Sequence, residues 1–542
     1  MPTHTSAQLA PLSAPISTPT STPMSQADMT FTPPDWLDAD LTASMLRGIE
    51  KEGLRMQSNG FLSQTPHPKA LGSKLTHPFI TTDYSESLLE LITEPKSSVK
   101  DALNMLRQLH VLVQQALPEG ELMWPLSMPC MLSSNDDDIP LADYGTSNSG
   151  KLKTLYRSGL GVRYGRRMQT IAGLHYNLSF GDDLFVAWQR DVGSDDDLTS
   201  FKNQKYLGLI RNFKRLTSMV LYLFGASPSV CPCFLKGREH DLEPLNTKTF
   251  YKPHATSLRM GKLGYTNSVQ DQLDIRYNHL PEYIQGLRQA IGTPFAQFSD
   301  IGVDDADGNP IQINDHILQI ENEYYSPIRP KQVTKVGETP TQALENRGIA
   351  YVEFRAIDLD PYSDVGIRLS SACFLEVLAL YCLLTDSPML LPQEDDELAI
   401  NLERVVNDGL KEDLTILVAG KEISLHTWMN QHMNNMLPLA SLLDAKQGGN
   451  EYRTAMALMQ GKVGNPELTL SAQLMADSKR LGSTWQLGYD LALHHRKQIL
   501  GHALSPHLQA KYEVLAEKSL MQQSELEAEQ TQAFHEFIKQ YR

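Results

Sequence analysis

The chain has 542 residues and a mass of 60.7 kDa, which is enough to bury a large core and to build more than one structural layer. Hydrophobic residues account for 41% of it and charged residues for 21%, as in ordinary globular proteins, and the formal net charge is -16. This acidic balance argues against nucleic acid and anionic membranes as partners, and a nucleotide phosphate would need metal ions or locally placed Arg and Lys.

The first 33 residues consist largely of Ser, Thr and Pro, which offer little apolar surface to offset the entropy lost on ordering. We therefore predict a disordered tail over residues 1–33. The composition of the remaining chain is globular and contains no linker-like break. This predicts one large domain over residues 34–542, with a helical C-terminal region.

The elements of this domain come in mixed order. Apolar spacing predicts a helix over 97–117, with Ser98 as its N-cap, and a further helical run from about residue 505 to the C-terminus. Alternating polarity predicts four strands, which are GIEKEGLRM (48–56), LHYNLSF (174–180), ILQIENEYY (317–325) and YVEFRAIDL (351–359). Because helices and strands do not alternate regularly, the predicted fold class is α+β, built around an antiparallel sheet.

Three of these strands have unusual polar faces, because residues i and i+2 of a strand lie on the same side. The residues that share these faces are Glu50 and Glu52 in the first strand, His175, Asn177 and Ser179 in the second, and Glu353 and Arg355 in the last. An antiparallel sheet with one face in water would explain any single strand. Solvated faces, however, usually mix Lys, Thr, Ser and Glu. Carboxylates, an imidazole and an arginine favour a site for divalent metal and phosphate.

Two other stretches imitate ligand-binding loops. GTSNSGKL (145–152) begins like a P-loop, but Leu152 stands where Ser or Thr would hold Mg²⁺. VDDADGNPIQI (303–313) has its acidic residues out of phase with a calcium loop, and Asp307-Gly308 favours a tight turn. We interpret neither stretch as a binding site.

The five cysteines are an odd number, at spacings that fit neither a disulfide framework nor a zinc ribbon. The pair in CPCF (231–234) has no second half, so we expect buried thiols in a reducing cytoplasm rather than a metal site. No stretch reaches the ~18 consecutive apolar residues of a membrane span, and the N-terminus lacks a secretory signal pattern. The sequence therefore predicts a cytoplasmic protein without a membrane partner.

Several long blocks resemble one known family. They are GIEKEGLR, PHPKALGSKLTHPFITTDYSESLLELIT, MWPLSMPC, YGTSNSGKLKTLYR, GLHYNLS, YLFGASP, HATSLRMGKLGYTN, LQIENEYYSPIRPK and YVEFRAIDLDP. Together they resemble the glutamate–cysteine ligases of the gammaproteobacterial type, from about residue 36 into the last third and more weakly after about residue 400. The resemblance implies a glutamine-synthetase-like catalytic sheet that forms a funnel for Mg²⁺ ions.

The family resemblance implies an ATP-dependent ligase for the first step of glutathione biosynthesis. ATP would convert the γ-carboxylate of L-glutamate to γ-glutamyl phosphate, and the amine of L-cysteine would displace phosphate to give γ-glutamylcysteine. The implied partners are L-glutamate, L-cysteine and ATP, with Mg²⁺ or alternatively Mn²⁺ as the metal and glutathione as a feedback inhibitor.

Matching the motifs residue by residue gives the implied site. The implied metal ligands are Glu50, Glu52, Asp83, Glu90, His175 and Glu353. Arg355 would contact the transferred phosphoryl group, with Glu353 beside it as the second catalytic residue. The substrate-binding residues are Tyr156, Arg157, Arg259, Tyr265 and Tyr325, to which the polar face adds Asn177. The long tail and the C-terminal third depart from the family pattern.

Two alternatives stay open at this point. A ligase of the same superfamily could join glutamate to another amine, because the metal-site residues serve only the first half-reaction. A non-catalytic nucleotide- or metal-binding regulator could descend from such an enzyme. Against the regulator stands the fact that no metal-site position is lost.

Overall fold

A computed structural model of the chain describes residues 30–264, 269–270 and 273–542. Tyr265 and residues 1–29 of the predicted tail lie outside the described residues. Within the last part of that tail, Phe31 packs edge-on against Tyr381, with ring centroids 5.3 Å apart, and donates its backbone N–H to Asn435 Oδ1 at 3.2 Å. The boundaries of the tail and of the single large domain stay predictions.

The strands form one large antiparallel sheet and two small ones. In chain order they are β1 (Leu46–Met56), β2 (Ile80–Thr82), β3 (Leu88–Ile92), β4 (Leu122–Met123), β5 (Leu174–Ser179), β6 (Ser229–Val230), β7 (Glu243–Asn246), β8 (Thr249–Tyr251), β9 (Ile328–Lys331), β10 (Tyr351–Ile357), β11 (Thr415–Val418) and β12 (Lys421–Ser424). The large sheet has the order β2-β3-β1-β5-β10-β9, and β4 pairs with the end of β1. The remaining strands form a β6-β8-β7 sheet and a β11-β12 hairpin.

Helices surround this sheet. They are α1 (Val99–Ala116), α2 (Asn148–Tyr164), α3 (Asp182–Val192), α4 (Leu198–Phe224), α5 (Pro232–Leu235), α6 (Leu280–Gly292), α7 (Ala296–Ile301), α8 (Pro340–Arg347), α9 (Leu369–Leu384), α10 (Pro392–Asp408), α11 (Leu425–Gln447), α12 (Glu451–Gly464), α13 (Leu470–Leu481), α14 (Thr484–Leu500), α15 (Pro506–Ala528) and α16 (Phe534–Phe537). The predicted α+β class is confirmed, and so is the first predicted helix, whose N-cap Ser98 accepts the N–H of Asp101 at 3.1 Å. In the C-terminal run, α15 and α16 are separated by a short non-helical segment. Among the described residues, no helix is both long enough and apolar enough to span a membrane.

The central sheet has one apolar and one polar face, as the period-two pattern predicts. Ile49, Tyr176 and Phe354 are paired across β1, β5 and β10, and all three are fully buried. Phe354 packs against Phe213 of α4, with ring centroids 4.7 Å apart. The neighbouring residues of the same strands, Glu50 among them, therefore project from the opposite face.

One predicted strand was wrong. Residues 317–325 contain a short 3-10 turn at Glu321–Glu323, and the strand of this region lies further on, at Ile328–Lys331. Pro330 conceals this strand in the sequence, because proline lacks the N–H that a central strand needs. It is tolerated in β9, which stands at the edge of the sheet.

Candidate active site

At the centre of the polar face, one imidazole lies between two carboxylates from neighbouring strands. His175 Nδ1 is 3.1 Å from Glu50 Oε2 and 3.4 Å from Glu353 Oε1. The sheet register creates this group, because Glu50 pairs directly with His175, and Glu353 pairs with Asn177 two residues further along β5. One potential ligand atom from each of the three residues lies within 4.8 Å of the others, and no other such group occurs in the described ranges. A single cation could contact all three.

The protonation of this central group suits metal binding. Burial opposes the negative charge of Glu50, but the hydrogen bond with His175 helps to hold the pKa of Glu50 below its ordinary value. Burial and the charge of Arg355 lower the pKa of His175, which favours the neutral imidazole that ligates metals. Asn177 Nδ2 donates to Glu50 Oε1 at 2.8 Å, while Asn177 Oδ1 is buried without a hydrogen-bond partner. The amide thus leaves one acceptor directed into the site.

Three further carboxylates lie on the β2-β3-β1 side of this group. Glu52 is paired with Glu90 across β1 and β3, and Asp83 follows β2 directly. Burial and the charge of Asp83 raise the pKa of Glu52 to about 8, although Glu52 Oε2 accepts the N–H of Gly173 at 2.6 Å. Burial and neighbouring carboxylates, Glu50 first, raise the pKa of Glu90 well above its ordinary value. In the part of the chain that the structure describes, no Lys or Arg forms an ion pair with Glu52, Asp83 or Glu90.

Cations dominate the opposite side, on β10 and β9. Arg355 Nη1 is 2.8 Å from Glu353 Oε1, Lys331 Nζ is 3.5 Å from Glu353 Oε2, and Arg329 is paired with Glu353 in the sheet. Burial would raise the pKa of Glu353, but Arg355 and Lys331 hold it well below its ordinary value. The Nε atoms of Arg329 and Arg355 are buried without a hydrogen-bond partner. Buried guanidinium donors without a partner fit an anionic ligand.

Two predicted substrate-binding residues, Arg259 and Tyr325, lie close to the C-terminal end of β10. Arg259 is 1% exposed, and its Nη1 is 3.3 Å from Asp358 Oδ1, while Nη2 donates to the backbone oxygen of Arg355 at 3.1 Å. Tyr325 donates its hydroxyl to Met260 Sδ at 2.8 Å, and the charges of Arg259 and Arg355 act on that hydroxyl. Both side chains therefore lie beside the basic half of the polar face, the part that carries Arg329, Lys331 and Arg355.

The remaining predicted substrate residues lie on α2. The guanidinium of Arg157 stacks on the ring of Tyr144, 4.5 Å from its centroid, and donates from Nε to the backbone oxygen of Asp83. Tyr156 is the adjacent residue, and burial together with nearby charges raises its pKa. Tyr265 lies outside the described residues. The structure thus places Arg157 at the acidic half, and the roles of all these residues stay predictions.

Sequence reasoning missed Arg329 and Lys331. They share a face of β9 through the same period-two spacing that identified Glu353 and Arg355. The signal lay in IRPK, inside a block quoted for its family resemblance, but the strand was placed too early in the chain. Recognising β9 as an edge strand would have revealed both cations.

The strand order turns these residues into an ordered series. From β2 to β1 the polar face carries Asp83, Glu90, Glu52 and Glu50, β5 contributes His175 and Asn177, and β10 and β9 contribute Glu353, Arg355, Arg329 and Lys331. The face changes from acidic to basic across neighbouring strands. Such a face can hold divalent cations at one end and phosphate oxygens at the other.

Comparisons with known proteins agree on one family. A family model described as Glutamate-cysteine ligase matches residues 37–405. The glutamate–cysteine ligase of Alcanivorax borkumensis is 46% identical over 513 residues, covering 93% of this chain and 97% of that protein. The corresponding protein of Azotobacter vinelandii is 43% identical over 500 residues, covering 92% and 94%.

Two solved structures have a similar fold. A glutamate–cysteine ligase from Francisella tularensis, solved in complex with AMP, superposes with a TM-score of 0.86 at 36% identity and covers 92% of this chain and 97% of that chain. A bifunctional glutathione synthetase from Pasteurella multocida superposes with a TM-score of 0.67 at 25% identity, covering 88% of this chain and 56% of that chain.

Proposed function

The chain belongs to the glutamate–cysteine ligase family, and we propose that it carries out the reaction of that family on the polar face of the central sheet. It is an ATP-dependent carboxylate–amine ligase, which joins the γ-carboxylate of L-glutamate to L-cysteine and gives γ-glutamylcysteine, ADP and phosphate. This is the first step of glutathione biosynthesis. The observation that carries the assignment to this face is the change from acidic to basic side chains on either side of Glu50, His175 and Glu353.

The acidic half fits Mg²⁺, and Mn²⁺ is the alternative metal. The donor set is mainly carboxylate oxygen, which hard cations prefer, and Asn177 Oδ1 is a buried acceptor without a partner. The raised pKa values of Glu52 and Glu90 reflect burial first and then repulsion from neighbouring carboxylates, and the charge of a divalent cation would offset both. The ligands we assign are Glu50, Glu52, Asp83, Glu90, His175 and Glu353. Bound there, the metal supplies positive charge to phosphate oxygens.

The basic half serves the first half-reaction. An oxygen of the glutamate γ-carboxylate attacks the terminal phosphorus of ATP, and ADP leaves, so negative charge must be neutralised on both sides of the transferred group. Arg355 presents a planar fork to that group, and Glu353 orients the fork through the 2.8 Å contact. Arg329 and Lys331 provide further positive charge from β9.

The second half-reaction requires the two amino acids to lie side by side. The cysteine nitrogen attacks the acyl carbon, the bond to phosphate breaks, and the amide forms. Guanidinium groups recognise carboxylates by paired hydrogen bonds, so Arg157 and Arg259 are suited to hold the substrate carboxylates. Tyr156, Tyr265 and Tyr325 complete the substrate-binding set, with Asn177 at the centre.

ADP release by the purified full-length chain tests this function. Release should require glutamate, cysteine, ATP and Mg²⁺ together, and other amines offered in competition should yield less product than cysteine. A better substrate among those amines would establish the ligase with different specificity. Absence of ADP release with all four components would instead favour the non-catalytic regulator.

Adding glutathione to the same assay tests the feedback inhibition that the family resemblance implies. A cytoplasmic location is proposed because the reaction uses ATP and a free thiol.

Substitution of the carboxylates tests the metal assignment. Glu50→Gln and Glu90→Gln keep the shape of the side chain but lose the charge, so half-maximal turnover should need about tenfold more Mg²⁺ or higher still. Mg²⁺ titration of turnover measures this, and thermal melts check the fold. The matched control is Glu94→Gln, because Glu94 lies just beyond β3 with 41% of its side chain exposed and pairs with Lys96. Equal Mg²⁺ requirements in all three variants would contradict the metal assignment.

A further inference from the structure

Residues 534–542 pack against helix α2, although they lie beyond the part of the chain that the family model matches. They comprise α16 and the short 3-10 turn that follows it. Ile538 is 2% exposed and lies in a small hydrophobic cluster with Leu155 and Ile313. Among the described residues, this cluster is separate from the main hydrophobic core. Loosening it should therefore leave the main core folded.

The cluster reaches a predicted substrate-binding residue. Leu155 directly precedes Tyr156 on α2, and the ring of Tyr156 is itself partly buried against the cluster. The Tyr156 hydroxyl also lies within electrostatic reach of Asp83 and Arg329, which belong to the candidate active site. Tyr156 thus connects the cluster around Ile538 with the polar face of the central sheet.

A series of hydrogen bonds accompanies this apolar contact. Asn314 Nδ2 donates to the backbone oxygen of Tyr541 at 2.9 Å and to the backbone oxygen of Gln319 at 3.2 Å. Gln319 Oε1 accepts the N–H of Ile313 at 3.0 Å. Gln319 Nε2 donates to the backbone oxygen of Tyr156 at 3.2 Å. Tyr541 is therefore connected to Tyr156 through one asparagine and one glutamine.

Gln319 fits closely against α2 and also contacts a second substrate-binding region. A Cβ on Gly159 would overlap the Gln319 side-chain amide, so glycine is required for this close approach. The N–H of Gln319 donates to Glu323 Oε2 at 2.7 Å. The backbone oxygen of Glu323 accepts from Gln270 Nε2 at 3.0 Å, and Gln270 Oε1 accepts the N–H of Tyr325 at 2.8 Å. The same glutamine is thus connected to two predicted substrate-binding residues.

We propose that residues 534–542 position Tyr156 for an amino-acid substrate, and that Ile538 is the positioning residue. The inference rests on the proposed function, because that function places Tyr156 in the substrate-binding set. Ile538 packs between Leu155 of α2 and Ile313, so it fixes the separation of α2 from the segment that carries Gln319. That separation in turn sets the position of the Tyr156 backbone.

The effect should be confined to amino-acid binding. Glu353 and Arg355, which we assign to phosphoryl transfer, lie on β10 of the central sheet rather than on α2. Their geometry should therefore stay the same when the cluster around Ile538 loosens. A group that orients a substrate loses much of its effect when it is misplaced by about 1 Å. We expect a raised KM for one amino acid, with kcat and the KM of ATP nearly unchanged.

Steady-state kinetics of full-length variants test the proposal, with thermal melts to check the fold. Ile538→Ala leaves a cavity in the cluster, so the KM of glutamate or of cysteine should rise about threefold or more. Ile538→Leu keeps the apolar volume, so its KM values should stay close to those of the parent. Gly159→Ala displaces the Gln319 amide without touching Ile538, and it should raise the same KM.

The matched control removes the same side chain from another buried position. Ile499 of α14 is 1% exposed and belongs to the main core. Ile499→Ala should lower the melting temperature at least as much as Ile538→Ala, because both remove a buried isoleucine side chain. It should leave the KM of both amino acids unchanged.

Hydrogen exchange gives a readout that does not require ligase activity. In Ile538→Ala, amide exchange should become faster in peptides that cover residues 148–164 and 312–325, and Ile499→Ala should not change them. Unchanged exchange there, unchanged KM values for both amino acids, or an equal rise of KM in Ile499→Ala would each overturn the proposal. A parent chain that releases no ADP would contradict the proposed function instead, and the exchange result would then decide alone whether Ile538 holds α2 in place.

Discussion

Two buried carboxylate clusters lie on opposite faces of the central sheet, and their hydrogen bonding differs. On the apolar face, Glu376 of α9 is fully buried, and its oxygens accept from Arg47 Nε at 2.6 Å, Arg47 Nη2 at 3.1 Å, the Tyr176 hydroxyl at 2.8 Å and the Tyr452 hydroxyl at 2.7 Å. On the polar face, Glu52 and Glu90 have raised pKa values and form no ion pair with Lys or Arg of the described chain.

The difference separates two reasons for burying a charge. Tyr176, which serves the first cluster, is the immediate neighbour of His175, which serves the second, so the same strand supports both. A carboxylate with a complete set of partners stabilises the fold once it is formed, and losing one partner leaves a costly buried charge. Buried carboxylates that repel one another are instead suited to a bound cation. The first cluster is structural, and the second is where we expect ligands.

The largest effect should come from the structural cluster. Glu376→Ala leaves Arg47 buried without its counter-ion, so the free energy of unfolding should fall by about 3–5 kcal/mol. Urea unfolding followed by circular dichroism measures the loss. Glu90→Gln is the control from the polar face, and it should not destabilise the metal-free chain, because it removes a carboxyl whose ionisation is opposed by burial and by neighbouring carboxylates. Similar losses in both variants would erase the distinction between the two clusters.

The next effect concerns chemistry rather than folding. Arg355→Lys keeps the positive charge but loses the planar fork, so turnover should fall about tenfold to a thousandfold, or roughly 1.4 to 4 kcal/mol of transition-state stabilisation. The apparent affinity for glutamate should change much less. Steady-state kinetics and a thermal melt provide the measurement. Arg288→Lys, at an exposed pair with Glu345, is the matched control. A folded Arg355→Lys enzyme with normal turnover would remove Arg355 from the phosphoryl site.

Local patterns in the sequence were sufficient to predict the two faces of the central sheet, but not the order of its strands. The alternation in β1, β5 and β10 predicts both faces of the sheet correctly, because side-chain direction in a strand depends only on local geometry. The strand order was not predictable, since it is set by pairing between residues far apart in the chain. The acidic-to-basic series across the polar face therefore became visible only in the structure. The same holds for the partners of Glu376, which come from β1, β5 and α12.

A further effect follows from the pKa of Glu52, about 8 in the folded chain against an ordinary 4.5. As pH rises through this interval, the unfolded chain loses the proton while the folded chain retains it, so the stability contributed by Glu52 is lost. The Glu52→Gln variant has no carboxyl at this position, so it does not show this loss of stability with rising pH. In EDTA, the variant should therefore gain about 1–3 kcal/mol relative to the parent between pH 5.5 and pH 8.5. Comparing the two chains cancels the titration of buried histidines.

Urea unfolding of both proteins at several pH values measures this difference. Adding Mg²⁺ at pH 8.5 should stabilise the parent more than the variant, because ion binding to the folded state adds to its stability. A difference that stays constant with pH would show that Glu52 is ionised in the folded chain, and the contrast between the two clusters would then rest on Glu90 alone.

The smallest effect concerns the contact between the N-terminal segment and the helices α9 and α11, which lie on the apolar side of the sheet. Phe31 packs on Tyr381 of α9, the helix that also carries Glu376, and donates its N–H to Asn435 of α11. Deleting residues 1–29 should change neither stability nor turnover, because that Ser, Thr and Pro-rich stretch offers little apolar surface. Deleting residues 1–33 should lower the free energy of unfolding by about 1 kcal/mol, because one aromatic contact and one hydrogen bond are lost.

Phe31→Ala in the full chain should reproduce most of this loss. Turnover should stay the same in all three proteins, because the contact lies on the apolar side of the sheet. Urea unfolding separates the two deletions, and a large loss on removing residues 1–29 alone would show that the tail makes contacts its composition does not predict.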